Sequence, residues 1–251
     1  MHSCYYPGVL KRNSAMKLLV LQILASVAAV AQEYQKGDLL YSNTFSKEEE
    51  LSGWVMEGAG KIEFKDGWMQ MSSPSEEGHH VFRCPQDFPE SFIAEWEVQN
   101  IETDAGLCIV FFAAKGLKGE DIFDPSLPKR DGAFTGYTKG AINNYHISYY
   151  ANPKNEPERE IANLRKNKGF HKVQAGKPGI PVNSTAIHQV RLIKHEGRII
   201  LYIDARKIID WTDDGEKFGN ILGAGKIGFR QMKWTHFAYR NFNVWNCVTS
   251  K

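Results

Sequence analysis

Asn144, His146, Ser148 and Tyr150 occupy alternate positions in the segment Asn-Asn-Tyr-His-Ile-Ser-Tyr-Tyr that begins at Asn143. In an extended chain they share one face, while Tyr145, Ile147 and Tyr149 share the other. An ordinary half-buried strand sets an apolar face against a charged or small polar one. Here both faces carry hydrogen-bonding groups, and three of them are phenols. Arg159, Asn163, Arg165, Lys166 and His171 follow shortly after. For the charge run alone, a solvated loop is the plain reading. Imidazole, phenol, amide and guanidinium gathered this closely suit a polyhydroxylated, acidic ligand, that is, a sugar site.

One reaction that such groups can perform is β-elimination of a uronic-acid polysaccharide. It needs a cation or amide to neutralise the carboxylate, a base for the C5 proton and an acid for the leaving oxygen. His146 is expected as base, Tyr150 as acid, and Arg165 (or Asn144) as neutraliser. The base and acid would stand roughly 13 Å apart along an extended strand, bracketing the substrate. Asn144, Ser148, Arg159, Asn163, Lys166 and His171 would bind substrate, with His80 arriving from a neighbouring strand. The same set would serve a non-catalytic glycan-binding module equally well. An exo-acting hydrolase is the third reading, through Glu95 or Glu97, or through an acid from Glu120, Asp121 or Asp124, although no Glu-x-Asp-x-x-Glu pair of carboxylates is present.

Other chemistries find less support. No Gly-x-Ser-x-Gly elbow backs a Ser/His/Asp arrangement. No metal site is expected, because His79 and His80 are adjacent and point to opposite faces of a strand. A structural calcium stays open, without an Asp-x-Asp-x-Asp loop to hold it.

These residues must be held by strands. Strand-like runs recur at Leu39–Phe45, Lys61–Met71, His79–Cys84, Phe92–Val98, Leu107–Ala113, Asn143–Tyr150, His188–His195, Arg198–Asp204, Lys207–Trp211, Gly225–Arg230 and Phe237–Trp245. Asp66-Gly67 and Glu196-Gly197 read as hairpin turns. A short helix is expected only over Pro157–Asn167, carrying Arg159, Asn163 and Lys166 on one side. Two long loops, Lys115–Lys139 and Asn152–Asn183, read as lids or binding loops. The six tryptophans are expected mostly in the core. The pattern predicts an all-β jelly-roll sandwich of two antiparallel sheets, with long loops over its concave face and its first and last strands paired.

Residues 1–31 read as an extension plus a secretory signal peptide. Met16-Lys17 opens an apolar run that closes on Ala29-Val30-Ala31, a small-x-small cleavage pattern, and the run is too short to span a bilayer comfortably. Residues 32–251 then form one exported carbohydrate-active domain, periplasmic or extracellular, with no membrane anchor after cleavage. The full chain has 31 Lys and Arg against 29 Asp and Glu. Losing Lys11, Arg12 and Lys17 leaves 28 against 29, so general nucleic-acid binding loses its support. Cys84, Cys108 and Cys247 remain, an odd number that frames no disulfide scaffold. A monomer or weak homo-oligomer is expected.

The run Gly225-Lys-Ile-Gly-Phe-Arg, followed after a turn by Tyr239-Arg-Asn-Phe, resembles the C-terminal signature of concanavalin-like jelly rolls. Over the whole mature chain the sequence resembles the YesU-like family, a domain of unknown function with the concanavalin-like lectin and glucanase fold. The matching segments are Gly78-His-His-Val-Phe, Phe88-Pro-Glu-Ser-Phe-Ile-Ala-Glu-Trp, Asn144-Tyr-His-Ile-Ser-Tyr-Tyr and Asn163-Leu-Arg-Lys-Asn-Lys-Gly-Phe-His. The resemblance implies a role in bacterial use of plant or algal polysaccharide, in some members near rhamnogalacturonan-degrading enzymes. It brings no agreed catalytic residues.

Overall fold

The computed structural model describes Met1 and residues 33–73, 78–102, 105–152 and 161–249. The expected leader and Arg159 lie outside the described residues. Lys36–Cys247 form one compact unit, with the terminal residues outside it in a second; the architecture below is that of the first.

Fifteen strands, one short α-helix and a 3-10 turn at Glu48–Leu51 are described: β1 (Tyr34–Asn43), β2 (Val55–Gly58), β3 (Lys61–Lys65), β4 (Trp68–Ser72), β5 (His80–Phe88), β6 (Phe92–Glu102), β7 (Gly106–Gly116), α1 (Thr135–Thr138), β8 (Ile142–Asn152), β9 (Ile161–Asn167), β10 (His171–Pro178), β11 (Ile187–His195), β12 (Arg198–Ile203), β13 (Arg206–Thr212), β14 (Gly225–Gln231) and β15 (His236–Thr249). One sheet runs β13-β12-β11-β6-β15-β4-β3, with β1 paired to β15, and the other runs β10-β9-β8-β7-β14-β5-β2. The expected sandwich and the pairing of first and last strands are both present. Both expected hairpins turn through left-handed residues, Asp66 at φ 52° with Gly67 at φ 77°, and Glu196 at φ 49°.

The interior between the sheets is aromatic. Phe45 stacks on Phe242, Trp54 on Phe229, and the Trp96 edge meets Tyr149 at 6.0 Å between centroids. Burying each such ring removes enough apolar surface to favour folding by about 2–3 kcal/mol. Cys84, Cys108 and Cys247 are buried and free, so packing holds this sandwich together among the described residues.

A second apolar cluster lies on the outer face of the seven-stranded sheet. There Val81, Ile109 and Phe111 pack beneath Ile122 and Tyr137. The segment between β7 and β8 therefore packs on that face, as a lid was expected to do. The other expected long loop, Asn152–Asn183, is instead largely the hairpin of β9 and β10. The helix expected over Pro157–Asn167 is strand from Ile161 onward. Ala162 and Leu164 bury against the core while Arg165 faces outward, so tertiary packing on β8 overrides the local three- and four-residue charge spacing.

Candidate functional site

Between the lid and the β9–β10 hairpin, the outer face of the seven-stranded sheet keeps a cavity of about 310 Å³. Its apolar lining is Leu107, Ile109, Phe134, Phe170 and Met232; its polar lining is His79, His146, Ser148, Arg165, Arg230 and Lys233. Among the described residues no carboxylate lines it.

Strand register explains the floor. His146 on β8 sits beside Phe111 of β7 and Arg165 of β9, and Ser148 sits beside Ile109 and Asn163. On β14, Phe229 enters the core while Arg230, paired with Ile109, faces outward. The walls come from turns. In the tight β9–β10 connection Phe170 adopts a left-handed φ of 59°, a conformation that costs a bulky residue on the order of 1 kcal/mol. Its ring stacks against His146 at 5.9 Å, and the Arg165 guanidinium lies 3.8 Å above its centroid. Arg165 also donates to the Phe170 carbonyl at 3.0 Å. Phe134 of the lid closes the other side, edge-on to Phe170 at 5.3 Å.

The histidines are neutral donors. Asn144 Nδ2 donates to the Tyr137 carbonyl at 2.9 Å, which leaves its Oδ1 as an acceptor. Asn167 Nδ2 donates to that Oδ1 at 2.8 Å and reaches His146 Nδ1 at 2.8 Å. With Nδ1 accepting, the ring proton belongs on Nε2. Burial first, then the charges of Arg165 and Arg230, hold His146 down at about 3. His79 Nδ1 accepts the Lys233 N–H at 3.3 Å, which again places the proton on Nε2, and burial with Arg230 and Lys233 lowers its pKa.

Arg230 is 2 % exposed. Among the described residues its guanidinium has no carboxylate, its Nε has no hydrogen-bond partner, and its charge rests only on the Phe134 ring at 4.6 Å. Burial pulls its pKa down to about 10, which still leaves it charged at neutral pH. A buried cation without a counter-ion is costly unless something else supplies the anion.

Of the residues expected at the site, His146, Arg165 and Ser148 line the cavity. Asn144 and Asn163 stand behind it: Asn144 orients Asn167, and the Asn163 N–H donates to Ser148 Oγ at 3.2 Å. Tyr150 is the main correction. A register shift between Cys108 and Ile109 of β7, opposite Tyr150 and Ser148, marks a bulge in β8. Past it the alternation inverts, and Tyr150 is buried in the core against Phe237 at 4.9 Å, unable to reach the cavity as an acid. Lys166 turns to the opposite face from Arg165 and pairs with Asp213 at 2.6 Å. His171 is exposed and stacks on Phe218. His80 is fully buried and outside the lining; its neighbour His79 takes the place expected for it. Arg230 and Phe170 both fall inside segments notable in the sequence, but nothing local marks them as lining residues.

Of the carboxylates considered for hydrolysis, Glu120 and Asp124 accept backbone N–H groups of Lys118 and Ser126 in their own turns, and the others are paired elsewhere. Glu95 binds Arg191 and Lys36 and Glu97 binds Arg240, all on the other sheet. Asp121 pairs with Lys226 at 2.9 Å. Ser184 Oγ, His188 and Asp204 form a hydrogen-bonded chain at 2.7 and 2.9 Å. Its serine also accepts the Ala186 N–H and its aspartate is 44 % exposed, so it reads as turn capping. Among the described residues no three His, Cys, Asp or Glu are grouped to hold a metal, and no helix is long and apolar enough to cross a membrane.

The chain is 41 % identical to the uncharacterized protein YesU of Bacillus subtilis over 219 residues, covering 86 % of this chain and 99 % of that one. It also matches the crystal structure of a Bacillus subtilis protein of unknown function with a galectin-like fold, at 40 % identity and TM-score 0.83, over 86 % of this chain and all of that one. The exoplasmic/lumenal domain of VIP36, in a form bound to Ca²⁺ and Man3GlcNAc, shares the fold at 10 % identity and TM-score 0.58, over 86 % and 92 % of the two chains. The family model described as a domain of unknown function, DUF1961, matches residues 38–244, and the chain belongs to that family.

Proposed function

We propose that this protein binds an acidic oligosaccharide or polysaccharide, of the uronate-containing kind found in plants and algae, without breaking it. The observation that carries this reading is the polarity of the cavity. Arg230, Lys233 and the Nε2–H groups of His79 and His146 all present donors beside Arg165, and no carboxylate among the described residues lines the cavity with them. An acceptor-rich anion is what such a lining fits. Phe134 and Phe170 offer ring faces for the weakly apolar side of a sugar. The sandwich is one that the VIP36 domain, solved with Man3GlcNAc, also uses. Export to the periplasm or the cell exterior, where such polymers are met, belongs to the same proposal.

Elimination remains the rival, and the cavity favours it less. A base needs a free lone pair, yet in both histidines the unprotonated Nδ1 already accepts a bond. Hydrolysis by paired carboxylates has no acid among the described lining residues. The test is calorimetric titration with acidic glycans alongside ultraviolet monitoring for unsaturated product. Saturable binding without new absorbance supports recognition; new absorbance that is lost in His146→Ala would establish a lyase.

A further inference from the structure

We infer that the cavity takes the charged terminal residue of the glycan, with its carboxylate on Arg230, and not an internal stretch of polymer. This rests on the glycan-binding reading above and goes beyond it in saying which part of the chain enters.

The first ground is the buried charge. Arg230 projects from β14 into the cavity, 2 % exposed and without hydrogen bond or ion pair among the described residues. A ligand carboxylate that reaches it leaves water almost completely. An internal sugar keeps a glycosidic link on each side, so its carboxylate can sink that far only if the chain passes on through both walls.

The second ground is those walls. The lid is pinned to the sheet beneath it. Arg130 spans the Glu57 carboxylate at 2.5 Å and the Ile122 carbonyl at 2.6 Å. Tyr137 OH accepts the Gly132 N–H at 3.1 Å, and the Tyr137 carbonyl accepts Asn144. Gly132 passes so close to the His79 carbonyl that a Cβ would not fit between them. Phe134 therefore stands on a fixed support. At the far end Met232 is tied by its N–H to the Leu107 carbonyl at 3.0 Å, and Lys233 to His79. Phe170 faces Phe134 across the site. A space of about 310 Å³ between these walls is at the small end of ligand pockets and suits one or two sugar rings.

The experiment uses the full protein and size ladders of oligogalacturonides and mannuronate oligomers, from monomer to long polymer, with uncharged galactan oligomers as reference. Binding is followed by calorimetry. The expected result is one protein per chain at every length, so that capacity per gram falls as chains lengthen, with affinity level beyond the dimer. Arg230→Gln should weaken binding on the order of a hundredfold while remaining folded by circular dichroism. Constant capacity per gram on long polymers would overturn the terminal assignment and leave glycan binding standing. Equal affinity for galactan, or wild-type affinity in Arg230→Gln, would overturn the carboxylate on Arg230. If no glycan binds, the glycan-binding reading falls, and this inference with it.

Discussion

Asn167 Nδ2 reaches His146 Nδ1 at 2.8 Å, and that contact sets which nitrogen of the imidazole carries its proton. The Asn167 amide cannot be reversed, because its nitrogen also donates to Asn144 Oδ1, which is itself fixed by Asn144 Nδ2 donating to a backbone carbonyl. Nitrogen-detected NMR of the histidine side chains should show His146 as the Nε2–H tautomer throughout the neutral range. Asn167→Asp, which puts an acceptor-only group beside Nδ1, should switch the proton to Nδ1 and weaken binding of acidic glycans by about tenfold or more. An Nδ1–H signal in the unmutated protein would remove the case against His146 as a base.

Acid should destabilise the protein through buried imidazoles. His146 is held at about 3 and His80 at about 4, both chiefly by burial, from an ordinary 6.5. Between those values the unfolded chain binds more protons than the folded one. The stability tied to neutral rings is thus complete above pH 6.5 and lost as pH falls through the folded values. Each ring contributes a slope of up to about 1.4 kcal/mol per pH unit inside its window. Denaturant midpoints from pH 7 to 4 should fall accordingly, and His146→Gln should flatten that fall.

The unpaired guanidinium predicts opposite effects on stability and binding. Arg230→Met keeps length and apolar contact with Phe134 but removes a buried charge that no described residue neutralises. The ligand-free variant should be more stable by about 1–2 kcal/mol, read as a raised thermal midpoint, while losing acidic ligands. A fall in stability would mean that the charge is satisfied inside the folded protein.

The sequence showed the sandwich more fully than the site. Strand alternation depends on periodicity that any half-buried strand must keep, so β8 and the face shared by His146 and Ser148 could be read directly. Tyr150 could not, because the bulge that inverts the phase has no residue signature; both Tyr149 and Tyr150 are simply aromatic and buried. Arg230 was hidden for another reason. Its burial comes from the lid and from Met232, elements distant or irregular in sequence, and an arginine on a strand ordinarily reads as solvated. The adjacent His79 and His80 differ in role because successive residues face opposite sides: Val81, paired with Arg230, faces the outer cluster, so His80, paired with Gln231, turns away from the cavity that His79 lines.

Tyr150→Phe tests that inverted phase. The phenol lies in the core against Phe237, with its OH 3.4 Å from the Val182 carbonyl. Affinity for acidic glycans should stay within about twofold of the parent. A larger loss would place the hydroxyl back among the groups that meet ligand.

Glu57 couples the lid to the binding site, and removing its charge should show how. Its carboxylate sits between two guanidinium groups, Arg130 of the lid at 2.5 Å and the fully buried Arg83 of β5 at 3.4 Å. Among the described residues Arg83 has no hydrogen-bond partner for Nη1 or Nη2, so this one anion holds both cations. Gly228 leaves the space that Arg83 fills, since a Cβ there would stand 2.6 Å from Arg83 Cδ. Glu57→Gln is nearly isosteric yet leaves two buried charges opposed, which should cost about 3–5 kcal/mol in denaturant unfolding. The lid would also lose its anchor, and Phe134 its fixed position. Binding should therefore weaken more than in Leu201→Ala, a cavity variant of similar cost placed on β12 of the other sheet. Equal affinity in the two variants, at a temperature where both are folded, would show that the lid's anchorage has no part in holding ligand.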